Sequence, residues 1–394
     1  MRINGPSPTK KDYYTLLKPI FFVISAKLLH SPSEQDGAEE TFEAVLEQIG
    51  SARRKIAIHM YVWRSDVIGN RIGEALLQAA RRGVEVTIIK DLSAMMYERI
   101  EMNRKSYLPR EPGKRRKLWW KLIRPTFPDT FVEDEFSNGA GHELIAHPKV
   151  ELTWAENAHT HTKYYLFDDR QLVTGSINIE DRHRGYFDYM VHLVDDNLGQ
   201  HFRARESGKY GPDPGREIEF FFNQTMHGQK RFEIKPRLLQ MLDEVKQTLH
   251  IEVAYIGDPD INKAIIAAAR RGVEVNLLLS EKANIGNDNN YRSAQSLLKS
   301  APVRIFLTPR MIHSKMIAFD RKTIFSGSAN ISIFSMSKSA ELNILVREPG
   351  LVEEFLAVAD ARLAASARVE SPDDLDGYSK PLALLQELHQ KLNL

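Results

Sequence analysis

The stretch HTKYYLFDDRQLVTGSINIED, His161 to Asp181, decides how the rest of the chain reads. His161 is followed two residues later by Lys163, then by Asp168, and after an apolar run by Gly175, Ser176 and Asn178. Alternation across Lys163, Tyr165 and Phe167 predicts a strand, in which residues two apart share a face. His161 and Lys163 therefore project together. Leu172 and Val173 predict a second strand, with Asp168, Asp169 and Arg170 as the turn. Such a hairpin returns Gly175, Ser176 and Asn178 to the side of His161. An imidazole, an ammonium, a hydroxyl and a carboxamide then converge, a set that suits a phosphoryl group. Alone, a His-x-Lys pair on a strand reads equally well as an exposed polar edge.

The spelling occurs twice. His313, Lys315, Asp320, Gly327, Ser328 and Asn330 repeat every spacing of the first copy. The pair resembles the duplicated H-x-K-x4-D-x6-G-S-x-N signature of the phospholipase D superfamily and matches it at every signature position. The resemblance implies an α/β fold: two pseudo-symmetric α-β-α sandwich halves in one chain, sharing one active site between them.

Other parts of the chain repeat as well. Phe42, Val45, Leu46 and Ile49 fall at helical spacing, Ile56 to Met60 alternate as a strand, Ile72 to Ala79 form a helix ended by Gly83, and Val84 to Lys90 return as a strand. That β-α-β unit predicts a parallel sheet. Leu238 to Leu249, Ile251 to Ile256 and Ile261 to Arg271 repeat it, and the octet AARRGVEV stands at both Ala79–Val86 and Ala268–Val275. Repetition on this scale indicates duplication. The expected boundaries are an N-terminal segment 1–36, a first half 37–207, a linker rich in Gly and Pro, a second half 216–365 and a tail 366–394 with a short helix.

Apolar residues make up 42% and charged residues 27% of the 394, as in ordinary globular proteins, and the formal net charge of +2 carries no global polyanion footprint. With no cysteine, thiolate nucleophiles and Cys-based zinc sites are excluded. No apolar run reaches the roughly 18 residues of a spanning helix. The nearest, Tyr13 to Leu29, is interrupted by Lys18, Pro19 and Lys27. It reads as a segment packed on the protein, one lying at a membrane surface, or a signal sequence.

The first half carries extra length at about 93–150, including Lys114 to Arg124 with Arg115, Arg116, Trp119 and Trp120. Tryptophans beside cations suit a bilayer interface, where they sit at headgroup depth. The same composition also suits single-stranded nucleic acid or a loop covering the core.

In the resemblance family one imidazole attacks phosphorus to give a phosphohistidine and the other protonates the leaving alcohol, the first-half histidine more usually attacking. That order makes His161 the nucleophile and His313 the general acid. Lys163, Lys315, Asn178 and Asn330 are implied to hold the non-bridging oxygens, with Ser176 and Ser328 assisting at the substrate, and no metal or other cofactor is implied. The family's carboxylate after each G-S-x-N falls on Asp188 and Glu341, 27 and 28 residues past the histidines. Asp168 and Asp320, at hairpin turns, are expected to make a structural ion pair. His159 beside His161 is weak evidence of a metal pair, and His183 and Arg184 are expected to be solvated.

Within the superfamily, the first half is similar to bacterial cardiolipin synthases of the phospholipase D type, through the entry at Gly37 to Ile58, Tyr61 with Asp66 and Gly69, the A-x-R-G-V stretch running to Asp91, and Phe187-Asp188-Tyr189. This likeness implies a phosphatidyltransferase on an anionic, phosphatidylglycerol-like membrane phospholipid, peripheral on the cytoplasmic face of the inner membrane. The extra length at 93–150 departs from the pattern. A phospholipid hydrolase and a nuclease are the rival readings, nucleic acid being disfavoured by the near-neutral charge.

Overall fold

The computed structural model describes residues 25–30, 38–99, 106–108, 110, 113–115, 118, 121, 139–155 and 159–392, less 213, 227, 286 and 376. The first sheet holds β1 (Ser25–Leu29), β2 (Lys55–Met60), β3 (Glu85–Asp91), β4 (Val150–Ala155), β5 (Tyr164–Phe167), β6 (Gln171–Gly175) and β7 (Met190–Val194), in the order β1-β7-β6-β5-β2-β3-β4. The second holds β8 (Ile218–Met226), β9 (Gln229–Phe232), β10 (Thr248–Val253), β11 (Glu274–Ser280), β12 (Val303–Thr308), β13 (Lys315–Phe319), β14 (Thr323–Gly327), β15 (Glu341–Val346) and β16 (Ala367–Arg368), in the order β16-β12-β11-β10-β13-β14-β15-β8-β9.

Both sheets are mixed, which corrects the parallel-sheet expectation. The β-α-β units account only for the parallel ladders β2-β3-β4 and β10-β11-β12. The motif hairpins then attach antiparallel, β5 on β2 and β13 on β10. A crossover helix gives parallel partners and a tight turn gives antiparallel ones.

Three apolar layers hold the molecule. One lies under the helices Glu39–Ser51 and Val67–Arg81 of the first half, a second under Ile234–Glu244 and Pro259–Arg270 of the second. The third lies between the two sheets and takes Tyr164, Leu166, Tyr189 and Val191 from one and Met316, Ala318, Leu342 and Ile344 from the other. Alternate residues of β5 therefore face different cores, Tyr165 and Phe167 outward and Tyr164 and Leu166 inward. Such strands are apolar on both faces, so YYLF shows no polar side.

The N-terminal boundary is also corrected. Ser25–Leu29 pairs antiparallel with β7 as an edge strand of the first sheet. Its Lys27 stays outside, paired with Glu40, while Leu28 N donates to Glu354 of the second half at 2.7 Å. Residues 1–24 and 31–37 lie outside the described residues, as do Arg116, Trp119 and Trp120, whereas Lys114, Arg115, Leu118 and Lys121 are described and exposed. The tail beyond 365 gives β16 to the second sheet and buries Val369, Leu375 and Ala383. Among the described residues no helix is long and apolar enough to cross a membrane.

Asp168 and Asp320 are structural, but not through an ion pair. Each stands in the left-handed region at its turn (φ 51° and 50°), followed by Asp169 and Arg321 at 61° and 54°. Aspartate tolerates that conformation better than most residues. The Asp168 carboxylate accepts from the backbone of Arg53, Arg54 and Lys55, and Asp320 from Lys246, Gln247 and Thr248. The ion pair expected of Asp168 belongs to its neighbour Asp169, which meets Lys55 and Arg203. Partial burial raises each motif carboxyl's pKa, but the amides outweigh it and hold the group below its ordinary range. Such a carboxylate stabilises the fold above its unfolded pKa, and the contribution is lost as pH falls through the depressed folded value. Asp320→Ala is accordingly expected to lower unfolding free energy by about 1–2 kcal/mol at pH 7. Urea denaturation should show that deficit shrinking toward pH 3; an equal deficit at both pH values would mean the turn backbone, and not the charge, is responsible.

Candidate active site

Both motifs end their strands at the seam between the halves, and the backbone stitches them across it. His161 N donates to Ala340 O at 2.8 Å and Ala340 N to His159 O at 2.7 Å, just before Glu341. Reciprocally, Phe187 N donates to Met311 O and His313 N to Phe187 O, just before Asp188. Each histidine is thereby laid beside the carboxylate of the opposite half. His161 Nδ1 lies 3.0 Å from Glu341 Oε2 and 3.0 Å from Ser328 O, and His313 Nδ1 lies 2.8 Å from Asp188 Oδ2. The partners of His161 are acceptors only, so its proton is fixed on Nδ1 and Nε2 presents a lone pair.

The glycines of G-S-x-N serve close approach. A Cβ on Gly175 would lie 2.7 Å from Tyr189 O, and one on Gly327 2.3 Å from Leu342 O. The serines are placed differently from expectation. Ser176 Oγ donates to Asp188 and Ser328 Oγ to Glu341 at 2.5 Å, both fully buried. They tether the carboxylates that hold the histidines, rather than facing the cavity.

That cavity, about 230 Å³, is lined by His161, His313, Asn178 and Asn330 together with Tyr61, Tyr97 and Phe334. Asn330 Oδ1 is buried without a hydrogen-bond partner, while Asn178 is held by Val62 N and by the neighbourhood of His183. Lys163 Nζ donates to His161 O at 2.8 Å, and Lys315 Nζ to His313 O while standing 3.3 Å from both ring nitrogens of His313. His161, His313, Asn178 and Asn330 thus line one cavity, while Lys163 and Lys315, like the serines, are not on its lining.

Burial shapes the protonation of the set. Desolvation, followed by the charge of Lys315, lowers Lys163 to about 7, and desolvation alone lowers Lys315 to about 8 against the pull of Asp188 and Glu341. Desolvation and then Lys163 lower His161; desolvation and then Lys315 lower His313 well below its ordinary value. Glu341 and Asp188 are raised by desolvation, yet the facing imidazoles carry both below the carboxylate range. At neutral pH both histidines are neutral and both carboxylates ionised.

One residue stands out against its expectation. His183 is fully buried, not solvated, and its Nδ1 lies 2.8 Å from Asp188 Oδ2, the oxygen that His313 also meets. Its Nε2 lies 3.0 Å from Glu180 Oε1, and Glu180 Oε2 in turn meets Arg64 Nε at 2.6 Å and Arg182 Nε at 2.7 Å. The chain Arg64-Glu180-His183-Asp188 that leads to His313 has no counterpart behind Glu341; Ser332 and Ser335 stand where the register of the second copy puts the counterparts of Glu180 and His183. The signal was in the sequence, as the failure of that one stretch to repeat. His159, weighed as a metal partner of His161, instead bonds Ser93 Oγ at 2.8 Å and sets its ring edge on Phe334.

Nδ1 of His183, Oδ2 of Asp188 and Nδ1 of His313 lie within 4.8 Å of one another, a grouping that has metal-ligand atoms. The two 2.8 Å nitrogen–oxygen separations are hydrogen-bond distances. Ligands about 2.0 Å from a tetrahedral zinc stand about 3.3 Å apart. The donor set fits shared protons better than an ion.

A site with two depressed lysines and two neutral histidines should take up protons when an anion enters, because negative charge favours every protonated form. Sulfate, which does not titrate near neutrality, is expected to bind with uptake approaching about one proton at pH 7.5. The lysine share of that uptake should fade below pH 6, where Lys163 is already charged, leaving only what the histidines take up. Calorimetry in two buffers of different ionisation enthalpy measures it; identical heats at pH 7.5 would contradict the lysine assignment.

Comparison with known proteins agrees with this geometry. The family described as "Cardiolipin synthase, PLD-like domain" matches residues 45–205 and 238–362, well over half of the chain and one segment per sheet. Cardiolipin synthase A of Edwardsiella ictaluri is 22% identical over 382 residues, covering 87% of this chain and 71% of its own length. That of Yersinia pseudotuberculosis serotype O:1b is 23% identical over 368 residues, covering 84% and 69%. Among solved structures, phosphatidylserine synthase of Haemophilus influenzae Rd KW20 superposes with a TM-score of 0.62 at 13% identity, covering 93% of each chain, which speaks for the fold. Two matched segments, one per half, each bringing its own His-x-Lys motif to a shared seam, place this chain in the phospholipase D superfamily, in its cardiolipin synthase-like family.

Proposed function

We propose that the protein is a phosphatidyltransferase that exchanges the headgroup alcohol of a membrane phospholipid through a phosphohistidine, with cardiolipin formation from phosphatidylglycerol as the leading case. The observation that carries this is the crossed pair of histidine–carboxylate contacts around one cavity, read with the family assignment. His161 Nε2 attacks phosphorus, and the proton on Nδ1 is held by Glu341 as charge develops on the ring. His313 supplies the proton to the leaving alcohol, the arriving phosphodiester anion having raised its basicity. Lys163 and Lys315 offset the charge of the non-bridging oxygens, and Asn178 and Asn330, which line the cavity, donate to them through their side-chain N–H groups. A second alcohol, deprotonated by His313, then takes the phosphatidyl group and frees His161. We read Arg115, Arg116, Trp119 and Trp120 as peripheral membrane contacts, which the exposure of Lys114, Arg115, Leu118 and Lys121 supports.

Incubation with phosphatidylglycerol vesicles, and separately with single-stranded DNA, followed by mass spectrometry, separates the readings. Cardiolipin and glycerol are expected; phosphatidic acid alone would make the enzyme a hydrolase, and DNA fragments a nuclease. His161→Ala and His313→Ala should each lose most turnover, excess chelator should leave the rate within about twofold, and a trapped label should sit on His161. Label on His313 would reverse the two roles.

His183 acts through Asp188 and is a positioning residue. Losing one charge-assisted hydrogen bond to that carboxylate costs about 1.5–3 kcal/mol, or roughly tenfold to a hundredfold in turnover. His183→Ser is expected to lower kcat by that factor with KM little changed, and to move the acidic limb of the kcat profile. Parent-like kcat with an unmoved profile would reduce His183 to a packing residue.

A further inference from the structure

The helix Lys380–Leu392 belongs to neither sheet, and nothing in the proposed chemistry uses it. Its inner side is fastened to the second half: Ala383 is fully buried, Glu387 pairs with Arg292, and the residue before the helix, Ser379, donates its N–H to Asp288 at 2.7 Å. Its outer side carries Leu384, Leu385 and Leu388, which are 62%, 48% and 46% exposed. These are three of the six large apolar side chains that stand exposed among the described residues. Positions i, i+1 and i+4 form one helical face. Leu385 and Gln386 also line the cavity of His161 and His313, beside Ile285 and Phe334. An apolar path therefore runs from the catalytic cavity onto the outer surface of this helix. Lys391 is exposed on the same helix, its ammonium paired with Glu387, and Lys338 donates to its carbonyl.

We propose that this outer face seats the cavity mouth on a phospholipid bilayer, with Leu384, Leu385 and Leu388 entering the boundary between headgroups and acyl chains. The inference rests on the phospholipid reading of the site and names the surface through which the substrate enters. A diacyl substrate whose phosphate reaches the histidines keeps its chains out of water only along an apolar path, and the leucines supply that path at the mouth. An amphipathic helix lying in the interface buries its apolar face by a few ångströms, and nearby cations favour anionic lipid. The alternative occupant, a second copy, needs about 800 Å² per partner, of which three half-exposed leucines supply only a fraction.

The test uses the full chain and leaves Leu385, a cavity residue, in place. Leu384→Ser/Leu388→Ser is expected to bind vesicles of phosphatidylglycerol and phosphatidylcholine about tenfold more weakly, and to lose turnover of vesicle lipid in proportion. The parent rate on bis(p-nitrophenyl) phosphate and on monomeric short-chain phosphatidylglycerol should be kept, which shows that the variant is folded. Because the chain has no cysteine, Leu388→Cys takes a single environment-sensitive fluorophore, whose emission should shift to the blue when the vesicles are added. Undiminished vesicle binding by the double variant, or unshifted emission in the labelled one, overturns the proposal. So does light scattering that finds a dimer in the parent and a monomer in the variant with equal vesicle binding. If instead the parent docks through this face yet turns over no phospholipid, the docking surface stands and the phosphatidyltransferase reading falls.

Discussion

Each motif imidazole is held by a carboxylate from the other half of the chain, and this crossing is the constraint on which the rest depends. Asp188 and Glu341 are ionised and buried, a state whose desolvation cost is several kcal/mol per ion unless hydrogen bonds and charges surround it. Neither half can supply the surroundings alone. Asp188 draws Ser176 and His183 from its own half but His313 from the other; Glu341 draws Ser328 from its own half and His161 from across the seam. The apolar layer between the sheets brings the halves together without direction, and the crossed contacts fix their register.

The same requirement explains why the motif strands are buried on both faces. A seam wide enough to hold four crossed ionisable groups must be sealed on either side, or water would raise the dielectric and weaken every contact in it. Tyr164, Leu166, Met316 and Ala318 seal it from the inter-sheet layer, Tyr165, Phe167, Ile317 and Phe319 from the outer cores. The lysines carry the consequence. Sealed in with the imidazoles, they sit with depressed pKa values, and an anion brought beside them would favour their charged forms.

Much of this was legible in the residues. Two identical six-position patterns and a repeated octet give the duplication, the alternation around Asp168 gives the hairpin, and residue chemistry offers histidine, lysine, serine and asparagine as a set suited to a phosphoryl group. Other features could not be read because they live in relations between distant segments. Spacing within one motif says nothing about which half's carboxylate a histidine meets, and a serine beside an asparagine looks like a substrate ligand until its neighbour across the sheet is known to be an ionised aspartate. A β-α-β pattern reports two parallel strands and is silent about the hairpin that joins them. Ser25–Leu29 was obscured for a different reason: Lys27 interrupts the apolar run, though its ammonium reaches Glu40 while the flanking residues pair with β7. His183 was misjudged because charge-rich EDRHR looks solvated, whereas Glu180 and Arg182 are there to satisfy a buried imidazole.

That last misreading bears on how a symmetric scaffold performs an asymmetric reaction. In the proposed reaction one histidine attacks and the other gives and takes a proton, so a perfect duplicate would leave two equivalent sites competing for both roles. The strands, turns and aspartate caps have stayed alike because either copy tolerates no other arrangement. At the seam the halves differ in the shell behind the carboxylates, where Glu180, His183 and Arg64 back Asp188 while Glu341 has the added methylene and a plain serine. His161, facing two acceptors and no second imidazole, keeps a fixed tautomer suited to attack. His313 shares its carboxylate with His183 and stands against Lys315, so its proton affinity is set by charges that the substrate itself changes, which is the property an acid that must later act as a base requires.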